Sequence, residues 1–277
     1  MNKSIITPLI CLLCAVTLCT CKGDNEADAA HARIEHARTL IEEGRLESAK
    51  TELDSVHLLY RQQVDARREA KALEDTISIL EAQRTAAYAD SMLQVLLPQV
   101  DPLLKRFRYD KDERYEDNGQ YVSRLLQTTS NTERCFLQAY VGDNRVTRVK
   151  SYYFGPKQLC QTSIELCAVA DDQCNHWQGA EHHFETDGFH SILSIENETA
   201  IEILAFIADN QSARLRVRLH GTDLSGKKTE PYTYFLSKND KDALVETLQL
   251  AILFHDINRL ENMLNHAQQT LSKLSNG

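Results

Sequence analysis

Cys174, His176, His182, His183 and His190 gather thiol and imidazole groups within 17 residues, and these are donors that zinc accepts. Their spacing fits no metal template. The interval from His176 to His183 lacks the i, i+4 geometry of a helical site, and no His-Glu-x-x-His run occurs. The sequence therefore favours solvated loop histidines, with a metal-dependent hydrolase built on this His/Cys loop as the alternative. Four cysteines, Cys135, Cys160, Cys167 and Cys174, follow Cys21, an even count that suits disulfides in an oxidising compartment. Cys160 and Cys167 are seven apart and point to opposite faces of one extended strand, so they do not pair with each other. The open alternatives are Cys167 with Cys174 across a loop, Cys135 with Cys160 inside a sheet, or buried free thiols.

A second candidate is a ligand face. Arg214, Arg216 and Arg218 alternate with Leu215, Val217 and Leu219, which turns the arginines outward on a strand. If a hairpin partner sets Tyr232 and Tyr234 opposite them, guanidinium stacks on aromatic rings, or a glycan or partner carboxylate is held by bidentate hydrogen bonds. Structural pairing is the favoured reading of that face. Tyr152, Tyr153 and Trp177 offer a sugar-stacking platform, but aromatics at strand spacing read first as core. No Gly-x-Ser-x-Gly, phosphate-cradling loop or dinucleotide fingerprint is present. The expectation is a protein without enzymatic activity, catalytic residues, metal or cofactor.

The elements that must position these groups follow from periodicity. Only 10 glycines and 5 prolines punctuate 277 residues, which disfavours an all-β sandwich. Helical spacing begins at Asp28 and runs to Glu43-Gly44. The stretch Leu40-Ile41-Glu42-Glu43-Gly44-Arg45-Leu46-Glu47-Ser48-Ala49 resembles one helical hairpin of a tetratricopeptide repeat, without a second copy. Neither proline nor glycine occurs between Arg45 and Leu97, so one helix of about 80 Å is expected, with a break near Arg67 as the alternative. Leu250, Leu253, Ile257, Leu260, Leu264, Ala267, Leu271 and Leu274 form a coiled-coil-like seam that would return along it. Between the helices the period changes to two. Strands are expected at 133–141, 145–154, 160–168, 189–195, 213–220 and 231–236, with a short helix at 198–208.

The fold class is thus α+β, a long antiparallel helical stalk with an inserted antiparallel β-rich head. Its expected parts are a leader at 1–20, a stalk at 21–104, a charged connector at 105–131, a head at 132–236 and a returning helix at 237–277. A net charge of −9 argues against a nucleic-acid partner. The apolar run from Ile5 to Thr20 is 16 residues long, short of the roughly 20 that span a bilayer, and reads as a secretory signal.

Leu18-Cys19-Thr20-Cys21 resembles a bacterial lipoprotein processing site, which implies acylation of Cys21. Lys22-Gly23-Asp24-Asn25-Glu26 is similar to the acidic tract of Bacteroidetes lipoproteins sent to the outer face of the outer membrane. Ala49-Lys50-Thr51-Glu52-Leu53-Asp54-Ser55-Val56 and the connector Phe107-Arg108-Tyr109-Asp110-Lys111-Asp112-Glu113-Arg114-Tyr115-Glu116-Asp117-Asn118-Gly119-Gln120-Tyr121 resemble segments of uncharacterised members of that group. The resemblance implies a lipid-anchored envelope protein, on the surface or the periplasmic side, held to the membrane through lipid. Its β-rich head would meet a protein or glycan.

Overall fold

The computed structural model describes residues 21–111, 118–126, 134–170, 173–179, 181–184 and 189–275, so the leader at 1–20 lies outside the described residues. No helix among these is long and apolar enough to cross a membrane. The architecture is α+β, with long helices at both ends of the chain flanking a central antiparallel β region. Two compact units divide it, one of residues up to Asp90 with those from Asn262 onward, the other Ser91–Glu261.

The first unit holds α1 (Cys21–Glu42), α2 (Leu46–Leu59) and most of α3 (Val64–Leu96). Ile34, Ala37 and Leu40 of α1, Ala49, Leu53 and Val56 of α2, and Ala66, Ala70 and Ile77 of α3 bury in one cluster. The alanines among them let the helices approach closely. Ion pairs give the directions: Lys50 meets Glu81 at 2.6 Å and His57 meets Glu74 at 3.0 Å, so α2 and α3 run antiparallel. The expected single helix from Arg45 to Leu97 is therefore corrected to a hairpin. Arg61-Gln62-Gln63 offers no apolar side chain to continue a buried stripe, and folding back at 60–63 lets α2 and α3 cover each other's apolar faces.

Gly44 ends α1 in the left-handed region, φ +75°. The Arg45 amide donates to Leu40 O at 2.8 Å and the Gly44 amide to Ile41 O at 2.9 Å, the two bonds of a Schellman cap. A Cβ at Gly44 meets nothing closer than an Arg84 nitrogen at 3.4 Å, so the cost of Gly44→Ala is conformational, about 1 kcal/mol. A urea titration of the helical signal should show that loss, and Gly44→Asn should lose less, because asparagine tolerates this conformation better.

Among its described residues the second unit carries ten strands in two antiparallel sheets, ordered β1-β2-β3-β4-β8-β7 and β10-β9-β5-β6. The first contains β1 (Phe107–Asp110), β2 (Gln120–Ser123), β3 (Phe136–Gly142), β4 (Thr147–Phe154), β7 (Glu181–Phe184) and β8 (His190–Glu196). The second contains β5 (Cys160–Ala168), β6 (Gln173–Gln178), β9 (Leu215–Thr222) and β10 (Tyr232–Phe235). Leu137, Val149 and Ile195 from one sheet, Ile164, Leu166 and Val217 from the other, and Ile203 and Leu204 of α5 (Asn197–Asp209) share one core.

Two expectations change here. The connector supplies β1 and β2, because Phe107 and Val122 are apolar positions inside its charged run and both are buried. The seam expected to run along the stalk starts elsewhere: Leu250 and Ala251 of α6 (Lys238–Ser275) pack with Phe107 and Val141 of the sheet. From Asn262 on, α6 belongs to the helical unit. The short α4 (Val100–Leu104) precedes β1.

Strand β5 carries a β-bulge. Gln161 faces Gly221 of β9 while Ser163 faces His220, so Thr162 is an extra residue. Gln161 turns inward, its side-chain amide donating to Ser151 O at 3.1 Å and Ser191 O at 2.8 Å and its carbonyl accepting from Ser151 Oγ at 2.7 Å. The period of two in 160–168 predicts one face for Cys160, Thr162, Ile164 and Leu166; Thr162 is instead exposed while Ile164 and Leu166 are buried. Strict alternation would hold Gln161 and Glu165 on one side; the bulge sends Glu165 outward.

Candidate metal centre

The outward face of the four-stranded sheet brings the chemistry together. Glu165 on β5 stands across from His176 on β6 and from Arg218 on β9, and His220 follows two residues after Arg218 on the same face. One ligand atom from each of Glu165, His176 and His220 lies within 4.8 Å of the others. His220 Nε2 is 3.6 Å from Glu165 Oε2, and the two imidazole centroids are 5.3 Å apart. Ligands on a tetrahedral zinc with bonds of about 2.0–2.1 Å are separated by about 3.3 Å, so small side-chain shifts close the set.

His220 Nε2 is shielded from solvent and has no hydrogen-bond partner. Burial is the first cause of a lowered His220 pKa; the Glu165 charge opposes it, while His176 and Arg218 reinforce it. The ring is thereby held toward the neutral form, in which imidazole ligates metals. Arg218 Nη1 donates to Glu165 Oε1 at 2.7 Å, which orients the carboxylate and leaves Oε2 toward His220. Cys167 is bonded to Cys174, as one of the sequence alternatives expected, between directly facing positions of β5 and β6. Its sulfur lies 3.1 Å from Glu165 Oε1.

The expectation of a chain without catalytic or metal-ligating residues is corrected by this cluster. His176 is exposed, but on a strand facing Glu165 rather than in a loop. His182 and His183 sit on β7 facing Leu193 and Ile192, and His190 opens β8, all in the other sheet. Sequence reasoning missed Glu165 and His220, because strand pairing brings them to His176 across 11 and 44 residues of chain. The outward alternation Arg214, Arg216, Arg218 continues to His220, and that was the available signal.

Cys135 and Cys160 do not bridge; both are buried free thiols, and Cys135 Sγ donates to Phe154 O at 3.3 Å. Tyr232 faces Leu219 and Tyr234 faces Val217, which puts both tyrosines on the inner side, against the core, instead of beside the arginines. The register sets Phe235 across from Arg216, and Arg214 stacks 3.8 Å over the Phe235 ring. Tyr153 and Trp177 are core residues, with Trp177 Nε1 donating to Glu202 at 3.2 Å. A cleft of about 460 Å³ between the loops at 155–159 and 223–231 is lined by Tyr153, Lys157, Lys228 and Tyr232, and none of Glu165, His176 and His220 lines it. Cys21 opens α1.

The chain matches no family model, no curated protein and no solved structure.

Proposed function

We propose that the chain is a metal-dependent hydrolase in which Glu165, His176 and His220 hold one zinc ion. The observation that carries this reading is the convergence of one ligand atom each from two imidazoles and a carboxylate within 4.8 Å on the outward face of the four-stranded sheet. Two histidines and a glutamate leave a fourth position for water, the pattern of catalytic rather than structural zinc. Bound zinc would lower the pKa of that water to about 7 and polarise a carbonyl or phosphoryl oxygen. Arg218 fixes Glu165 from the side away from His220. Arg216 stands two residues along the same strand face and adds a second positive charge, which favours an anionic ester, a phosphoester first. The Cys167–Cys174 bridge favours an oxidising compartment. That agrees with export and lipid anchoring at Cys21, which belong to the same proposal.

The test uses the full chain, stripped with a chelator and dialysed against zinc, with metal content measured by mass spectrometry. About one zinc per chain is expected, with turnover of p-nitrophenyl phosphate exceeding that of p-nitrophenyl acetate. The double variant His176→Ala, His220→Ala should lose about 100-fold or more in zinc affinity while keeping the emission of Trp177. A chain that binds no stoichiometric zinc, or a double variant that binds as the parent does, would overturn the proposal.

A further inference from the structure

The bridge beside this site is itself made of potential ligands. One ligand atom from each of Glu165, Cys167 and Cys174 also lies within 4.8 Å of the others, so Glu165 belongs to two overlapping donor sets. In the oxidised chain the sulfurs are committed to each other and only the nitrogen and oxygen set can ligate. Cys174 is exposed and Cys167 is buried, which leaves Cys174 as the sulfur an external thiolate can reach. Cys167 is then the leaving group. It stands across from Arg216 in the β5–β9 register, where positive charge favours a departing thiolate.

We infer that the Cys167–Cys174 bridge is a redox lock on the metal centre, an inference that deepens the hydrolase reading and rests on the same face. A dithiol reductant gives two electrons and two protons to the bridge and becomes a disulfide, and the chain gains two thiols. On binding zinc those thiols release two protons and form a soft donor set with Glu165. The shared carboxylate then moves the ion from the two histidines to the two sulfurs. That substitution raises affinity, because thiolates are strong zinc ligands, and two anionic sulfurs in place of two neutral imidazoles make the ion a weaker Lewis acid toward the water in its remaining position. Reduction thus stores the metal and silences the water-activating site.

The experiment compares the oxidised full chain with the same chain reduced by dithiothreitol and desalted under argon. Zinc affinity is read by competition with a chromophoric chelator, and cobalt is used as a spectroscopic stand-in. Among the described residues Cys135 and Cys160 are free thiols, and the variant Cys167→Ser, Cys174→Ser, which keeps every other cysteine of the chain, isolates the bridged pair. Reduction is expected to raise zinc affinity at least tenfold, on the order that separates strong from weak donor sets, and to add a thiolate-to-cobalt charge-transfer band. Both changes should vanish in Cys167→Ser, Cys174→Ser. An affinity and spectrum unchanged on reduction would overturn the lock and leave the hydrolase reading standing. Metal bound only by the reduced chain, and lost in the double serine variant, would sustain the thiolate set while refuting the hydrolase reading.

Discussion

Asp240→Ala is expected to lower the unfolding free energy of the β-rich unit by about 3 kcal/mol. Asp240 is 2 % exposed and sits in the first turn of α6. It accepts two hydrogen bonds from the Arg134 guanidinium, at 3.0 and 2.7 Å, and one each from the Ser237 amide at 3.1 Å and hydroxyl at 2.7 Å. Ser237 Oγ in turn accepts from the Asp240 amide at 3.1 Å, which closes a reciprocal cap. Alanine removes the carboxylate half of the cap, keeping only the backbone amide bond to Ser237 Oγ, and leaves Arg134 without this carboxylate. Because the guanidinium is partly open to water, the loss falls at the lower end of what breaking a buried pair costs. Asp240→Asn should lose less, since it keeps the cap.

The same residue sets a pH dependence. Burial by itself pushes the Asp240 carboxyl up, but the hydrogen bonds from Arg134 and Ser237 and the Arg134 charge outweigh it and hold the folded pKa below the usual value. A depressed carboxylate pKa contributes stability that is fully present above the unfolded value of about 3.9 and is lost as pH falls through the folded one. The parent should therefore lose stability on acidification below about pH 4 more steeply than Asp240→Asn. Trp177, the only tryptophan, is buried in the unit concerned, so urea titrations followed by its emission measure both effects.

Gly221→Ala is the second large effect, again about 3 kcal/mol, the upper end of overpacking costs. A Cβ at Gly221 would overlap the carbonyl oxygen of Cys160 and come within 2.8 Å of its carbonyl carbon. Both are backbone atoms of the paired strand, so no rotamer relieves the clash, and β5 must move away from β9. His220 immediately precedes Gly221, and Gln161 pairs with it. The variant should therefore lose zinc affinity along with stability, whereas Asp240→Ala, away from the ligands, should lose stability alone. Zinc competition at a temperature where both variants remain folded separates the two.

Much of the β region was legible residue by residue. The alternation of Leu215, Val217 and Leu219 with arginines placed β9 and its inward face, and its hairpin partner was found within a residue at each end. The short helix before β9 was legible because Ile203, Leu204 and Ile207 recur at helical spacing in a strongly apolar run. What failed had a physical source in each case. Unbroken helix propensity from Arg45 to Leu97 hid the turn at 60–63, which tertiary packing decides. The charged run around Tyr109 masked two strands, because β1 and β2 need only a few apolar positions, Phe107 and Val122 among them, to join a sheet. Bulges leave no periodic mark, so the facing of Thr162 was misread. The metal cluster is assembled across three strands, two of them outside the histidine-rich segment, and local spacing carries no record of such an assembly.

The surplus residue in β5 works as a parity change. Upstream of it Gln161, an odd-numbered position, turns to the interior, and downstream Glu165, also odd-numbered, turns to the outer face. Residue count in that strand therefore holds information that residue identity at Thr162 does not. Losing one residue there would not trim the strand but invert one end of it, sending either an amide meant for buried serines into water or a carboxylate meant for a cation into the apolar interior.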